Sequence, residues 1–243
     1  MKQFSIRTFI KSLIVAGAII SGILLIYLSS RFAPLRLKFE GKKTVADRLE
    51  QYEGAVNSRL LAAFTDSNSL YPPKSIVLLY IKSQKTLSMY APSEHGGWSL
   101  VKTYPVLHQS GKPGPKLKDG DEQVPEGIYG IEGLNPNSQY HLALRLNYPN
   151  QDDLKYARDE GRTDLGGDTM IHGEAGSTGC LSLADRDIEE LFVLAARTDY
   201  RRWKVIMAPV DFRLGEVPAI SMTHRPWLQD LYGEITKEMS QLP

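Results

Sequence analysis

Cys180 is the one cysteine of this 243-residue chain, and its surroundings are suited to chemistry. It closes the stretch GGDTMIHGEAGSTGC, with His172 eight positions upstream and Gly173, Gly176 and Gly179 in between. A cysteine acts as a nucleophile through its thiolate, which a neighbouring base or a positive dipole supplies. Eight extended residues would hold His172 and Cys180 about 26 Å apart. The two meet only if the chain doubles back, and the glycines make that turn inexpensive. A helix beginning at Asp185, if Cys180 abuts it, would favour the thiolate by up to about 1 kcal/mol. The backbone N–H groups of Gly179 and Cys180 are then placed to receive an oxyanion. The chemistry so described is Cys–His acyl transfer.

Something must orient His172. Asp168 lies four residues back, which returns to the same face of a strand, but four strand residues span about 13 Å. A backbone carbonyl is the favoured orienter. Two plainer readings stand beside the catalytic one. A lone cysteine is ordinarily a small buried hydrophobe. A zinc site from His172, Glu174 and Cys180 would lack a fourth ligand. No metal and no cofactor is expected.

The elements that must position these residues are mainly β, with a few helices. Val45, Leu49, Tyr52, Val56, Leu60 and Phe64 recur at helical spacing. SIVLLYIKS, KTLSMYA, WSLVKTYPVL, IYGIEGL, YHLALRLNY, DTMIHG and RWKVIMAPV read as strands. A short helix is expected within the polar stretch 149–163. ADRDIEELFVLAARTD reads as a helix with Asp185 as N-cap, and WLQDLYGEITKEMSQL as another. The Gly/Pro-rich segment from Ser110 to Gly127 must be loop. It reads equally as a cover over a substrate or as a surface connection. His95, His108, His141 and His224 read as structural or exposed, and Tyr140 and Tyr148 as packing residues.

The N-terminus has a different character. Lys2, Arg7 and Lys11 precede an uncharged apolar run from Ser12 to Leu28. Its 17 residues exceed a usual signal-peptide core and reach the lower edge of a membrane span. The sequence after it offers no small-x-small cleavage site, which favours an uncleaved anchor over a cleaved signal. Arg31, Arg36, Lys38, Lys42 and Lys43 follow the span and taken alone would hold the domain in the cytoplasm, but a large domain translocates largely regardless. The expected organisation is a basic tail (1–11), a membrane anchor (12–30), a linker with an amphipathic helix (31–70), a catalytic domain (71–212) and a C-terminal extension (213–243). A net charge of +1 argues against broad electrostatic binding of nucleic acid.

IHGEAGSTGC resembles the active-site signature of the L,D-transpeptidase (YkuD) family, in which His-Gly is followed by Ser-x-Gly-Cys. The short His-to-Cys spacing is similar to the YafK-like branch. GPKLKDGDEQVPEGIYGIEGLNPNSQYHLALRLNYPN, GRTDLGGDTMIHG and YPPKSIVLLYIKSQKTLSMYA extend the similarity over roughly Tyr71 to Val210. The resemblance implies a β-sandwich-like catalytic domain. It implies that Cys180 attacks the carbonyl of meso-diaminopimelate in a peptidoglycan stem peptide, giving a thioester, with His172 as base and acid. Gly173, Ser177, Thr178 and Gly179 then shape the oxyanion and substrate loop. An amine takes the acyl group, or water does. Water would make the chain a hydrolase, either an amidase releasing murein-bound lipoprotein or an L,D-carboxypeptidase. Peptidoglycan lies outside the cytoplasmic membrane, so the implied location is a single-pass inner-membrane protein facing the periplasm.

Two positions depart from the common family pattern. Thr178 stands where many members have histidine, and Ser182 where many have arginine. Arg145, Arg162 and Arg186 are candidates to hold a substrate carboxylate in place of that arginine. The departures also motivate a third reading, a murein-binding scaffold without catalysis, against which the retention of Cys180 and His172 argues.

Overall fold

The computed structural model describes residues 41–174, 176, 178–218, 220 and 225–243. The expected membrane anchor lies outside the described residues. Among those described, no helix is long and apolar enough to cross a membrane.

Helix α1 (Val45–Asp66) starts where Thr44 and Asp47 cap each other. The Thr44 hydroxyl accepts the Asp47 N–H at 3.2 Å and the Asp47 carboxylate accepts the Thr44 N–H at 2.6 Å, so two otherwise orphaned donors are satisfied. Val56, Leu60 and Phe64, spaced four apart, bury one face of the helix.

Eight strands follow: β1 (Val77–Ile81), β2 (Thr86–Pro92), β3 (Trp98–Pro105), β4 (Gly127–Ser138), β5 (His141–Leu146), β6 (Met170–His172), β7 (Leu181–Ser182) and β8 (Lys204–Ala208). They form one sheet in the order β3-β2-β1-β8-β4-β5-β6-β7. The pairs β1·β8 and β6·β7 are parallel, and the others are antiparallel. β4 is the bend: Gly127–Gly130 pair with β8, and the rest of the strand pairs with β5 through two register shifts. Bulges of this kind turn a strand from one layer into the next. Leu78, Leu87 and Met89 from one half of the sheet then share a core with Leu144, Ile171 and Leu181 from the other.

The run VLLYI is apolar throughout because β1 is covered on both faces. Leu78 and Tyr80 face that core, whereas Val77, Leu79 and Ile81 pack with Leu228, Leu231 and Ile235 of the C-terminal helix α4 (Trp227–Met239). The remaining helices are α2 (Gln151–Asp159), capped by Asn150, and α3 (Asp185–Arg197). Glu190 of α3 is buried and ties three elements together. It accepts from Arg59 Nε of α1 at 2.6 Å and from Lys102 Nζ of β3 at 2.5 Å.

Several local expectations are corrected. β4 runs on through Pro136 to Ser138, because pairing with β5 continues past the turn-like residues. β7 was not anticipated, since two residues carry no periodicity. Helix α3 has Ala184, not Asp185, as its N-cap. The Asp185 carboxylate instead accepts the Glu174 N–H at 2.8 Å.

Candidate active site

Strand β7 lies parallel to β6 with Ile171 opposite Leu181 and His172 opposite Ser182. Cys180 directly precedes Leu181, so the same register sets it opposite Met170. Side chains alternate across a strand, so Ile171 and Leu181 point into the core. His172 and Cys180 belong to the other face, on a diagonal with a backbone separation of about 8 Å, within reach of two side chains that lean together. The chain therefore doubles back between them, as the glycine spacing requires.

The ends of that turn are pinned. The buried Ser182 hydroxyl donates to the Glu174 carbonyl, and the Glu174 N–H is held by Asp185. Gly173 allows the close approach: a Cβ there would lie 2.7 Å from Asp185 Oδ1, 3.0 Å from Ile188 and 3.1 Å from His141. Ser177 lies outside the described residues. Gly179 has φ +83°, and a Cβ on it would also meet the Gln123 carbonyl at 3.2 Å. Its N–H donates to Ser110 Oγ at 2.7 Å, so one of the two expected oxyanion donors is already engaged.

His172 is almost wholly buried. Its Nδ1 lies 2.7 Å from the Gly173 carbonyl. A carbonyl only accepts, so Nδ1 carries the proton and Nε2 keeps its lone pair. A backbone carbonyl, not Asp168, is the orienter. Burial depresses the imidazole pKa, and the Gly173 carbonyl offsets part of that shift. Tyr140 stacks on the ring, with centroids 4.6 Å apart and planes inclined by 28°.

Cys180 Sγ lies 3.7 Å from the Asp168 carbonyl oxygen. Burial pushes the thiol pKa up. The Met170 N–H and the Lys116 charge favour the thiolate, the Asp168 carboxylate opposes it, and burial prevails. Helix α3 begins five residues after Cys180, beyond strand β7, and its dipole is not among the causes of the shift. At neutral pH the resting pair is thus a thiol and a neutral imidazole.

A cavity of about 170 Å³ opens over the sulfur, lined by Lys116, Asp119, Glu122, Asp168, Thr178 and Cys180 among others. Three of these come from the Gly/Pro-rich loop, which therefore walls the cavity. Lys116 is buried, with Nζ 2.7 Å from Asp121 and 2.8 Å from the Lys118 carbonyl. The loop is tied to the fold by Glu126. That carboxylate accepts from Lys82 Nζ at 2.8 Å, Gly114 N–H at 2.7 Å and the Tyr232 hydroxyl at 2.7 Å.

Of the three arginines, Arg145 is the one beside this site, 2.8 Å from Asp168 and 2.7 Å from Glu132. Arg162 pairs with Glu160 and donates to the Leu117 carbonyl. Arg186 enters through its backbone carbonyl, which accepts from Arg59. No group of three or more His, Cys, Asp or Glu side chains among the described residues is placed to hold a metal ion. Sequence reasoning missed Ser110, Lys116 and Tyr140. Their signal was position alone: two lie in the loop, and the third directly precedes the strand next to β6.

The site sets a cysteine and a histidine on one face of the sheet, and comparison with known families gives its class. Residues 74–207 match the YkuD model, the L,D-transpeptidase catalytic domain, and the chain belongs to that family. Among individual proteins it is 31% identical over 119 residues to "Putative L,D-transpeptidase YafK" of Escherichia coli K12, and equally to that of strain O157:H7. The match covers 48% of this chain and 46% of theirs, so the chain spans about half the length of the curated relatives it matches. Among solved structures, the helical cell shape determining protein Pgp2 of Campylobacter jejuni aligns with a TM-score of 0.46 at 24% identity, over 64% of this chain and 56% of that one. Bd1075 of Bdellovibrio bacteriovorus aligns with a TM-score of 0.42 at 18% identity, over 70% and 55%.

Proposed function

We propose that this chain is a peptidoglycan-modifying cysteine acyltransferase, held in the cytoplasmic membrane by residues 12–30 with its catalytic domain in the periplasm. The observation that carries this reading is the β6·β7 register, which brings Cys180 and a His172 with a lone pair on Nε2 onto one face in a family of L,D-transpeptidase catalytic domains. Sγ attacks the meso-diaminopimelate carbonyl of a stem peptide while Nε2 takes the thiol proton. The carbon–nitrogen bond then breaks, the leaving amine receives that proton, and a thioester remains. An incoming amine attacks the thioester, passes its proton to His172, and Sγ leaves. Thr178 and Gly179 border the reacting carbonyl, and Ser177 belongs to the same loop. Water in place of the amine gives the hydrolytic outcomes, loss of the terminal residue or release of murein-linked lipoprotein.

The test incubates the full chain in detergent, with and without Cys180→Ala, with tetrapeptide muropeptides and with lipoprotein-linked murein, and reads products by mass spectrometry. Cys180-dependent dimers or exchanged terminal residues are expected. Cys180-dependent cleavage without new linkages would replace transfer by hydrolysis. A folded protein that gives no product would leave only the murein-binding scaffold.

A further inference from the structure

Three consecutive residues where the chain enters β5 touch His172 and its neighbour. Tyr140 stacks on the His172 ring with centroids 4.6 Å apart. The Leu142 carbonyl accepts the Gly173 N–H at 3.1 Å. His141, between them, comes so close to Gly173 that a Cβ built there would lie 3.1 Å from the His141 β-carbon. Gly173 is the residue whose carbonyl holds Nδ1 of His172. One short segment therefore bears on the face of the imidazole and braces the peptide that fixes its rotation.

His141 is itself clamped. Its φ is +69°, a left-handed conformation that residues with a β-carbon seldom adopt. Such a backbone persists only where the surroundings over-determine it. Two contacts do so here. His141 Nε2 lies 3.1 Å from Glu189 Oε1 of α3, with both side chains largely covered. A carboxylate only accepts, so Nε2 carries the proton and donates. Tyr52 of α1 meets the His141 ring edge to face, with centroids 5.4 Å apart and planes inclined by 73°, a favoured geometry for an aromatic pair. Glu189 is in turn 4.0 Å from Arg59 of α1. His141, Glu189 and Tyr52 do not line the cavity over Cys180, so their route to the reacting atoms runs through Tyr140 and Gly173.

We propose that His141, clamped by Glu189 and Tyr52, is a positioning residue for His172. Helix α1 thereby belongs to the working reaction centre, although it precedes the family match at residues 74–207. The proposal rests on the role of base assigned above to His172. Without the clamp the left-handed turn relaxes, the Tyr140 ring leaves the imidazole, and the Gly173 carbonyl loses its hold on Nδ1. Nε2 is then no longer kept as the acceptor for the thiol proton.

The test compares two substitutions at one position in the full chain, in detergent, under conditions where circular dichroism shows each variant folded. His141→Gly relieves the backbone and removes both ring contacts. His141→Gln retains the strain and keeps a donor for Glu189. With tetrapeptide muropeptides, His141→Gly should lower kcat by about 10- to 100-fold at little change in KM, since a displaced catalytic group loses rate rather than binding. His141→Gln should stay within about 3-fold of the parent. Nitrogen-15 spectra of the histidine rings, in chains carrying Cys180→Ala, read the imidazole without turnover. The His172 signals, identified by their loss in His172→Gln, should show a fixed Nδ1–H tautomer in the parent and a mixture in His141→Gly. Tyr52→Leu and Glu189→Gln leave the turn residues in place and should move both readouts in the same direction, which keeps the test decisive if His141→Gly does not fold. Parental kcat in His141→Gly, equal losses in His141→Gly and His141→Gln, or indifference to Tyr52→Leu overturns the proposal. An unmoved tautomer alongside Cys180-dependent products rejects the positioning alone. A moved tautomer in a chain that gives no products rejects the reaction alone.

Discussion

Tyr140 lies against His172 as a stacked neighbour, ring on ring, from the turn that joins β4 to β5. The stack restricts the imidazole from the side, while the Gly173 carbonyl fixes its rotation. Aromatic stacking contributes about 0.5–1.5 kcal/mol beyond area burial. Tyr140→Ala should therefore lower kcat/KM by about 2- to 10-fold, and Tyr140→Phe should keep most of it. Muropeptide kinetics beside a melting curve distinguish loss of His172 placement from loss of fold.

The pH behaviour follows from two opposite shifts. His172 titrates below its ordinary value of 6.5, because burial opposes its charge. In the unfolded chain it takes a proton first, so its contribution to stability is present above pH 6.5 and declines as pH falls below it. Cys180 titrates above its ordinary 9.0, so the unfolded chain loses that proton first and stability declines as pH rises past 9.0. Alkylation of the substrate-free protein by iodoacetamide should accordingly show an apparent pKa above that of a simple thiol. An apparent pKa near neutrality would contradict the neutral resting pair.

Gly173→Ala should be costly in both stability and rate. The added carbon meets Asp185, Ile188 and His141 at once, and forcing a methyl into such a contact costs about 1–3 kcal/mol. The shift falls on the residue whose carbonyl orients His172. Urea unfolding and turnover should fall together, whereas Gly176→Ala, at φ +118° and with only an ordinary 4.0 Å contact to the Tyr140 ring, should mainly strain the backbone.

Glu126→Leu leaves Lys82 buried without its counter-charge. Breaking a buried pair in this way costs about 3–5 kcal/mol. The double substitution Lys82→Met with Glu126→Leu should recover part of the stability. It should still reduce turnover, because the Gly114 N–H loses the acceptor that anchors the loop. Recovery of stability and full activity together would show that the loop is positioned without Glu126.

Much of this arrangement was legible from residue types. The helical spacing of Val56, Leu60 and Phe64 located α1, and the unbroken run VLLYI marked a strand covered on both faces. The reversal of the chain between His172 and Cys180 followed from the glycines that permit it. What could not be read depends on tertiary contacts. Leu181–Ser182 becomes a strand only because β6 lies beside it. Asp185 caps the Glu174 amide across the turn rather than its own helix. The cavity beside the thiol is walled in part by a loop more than fifty residues upstream, which no local pattern near Cys180 records.

The contact between the chain after β3 and strand β7 bears on how a peptide can approach. Leu107 donates to the Ser182 carbonyl at 2.8 Å, and the Ser182 N–H donates to the His108 carbonyl at 3.1 Å. The outer margin of β7 is thereby occupied from within the chain, just past Cys180. A peptide entering the reaction centre finds no vacant backbone ladder there to extend. If a peptide is the substrate, as proposed, shape and charge in the cavity beside the sulfur are left to read its side chains and end groups.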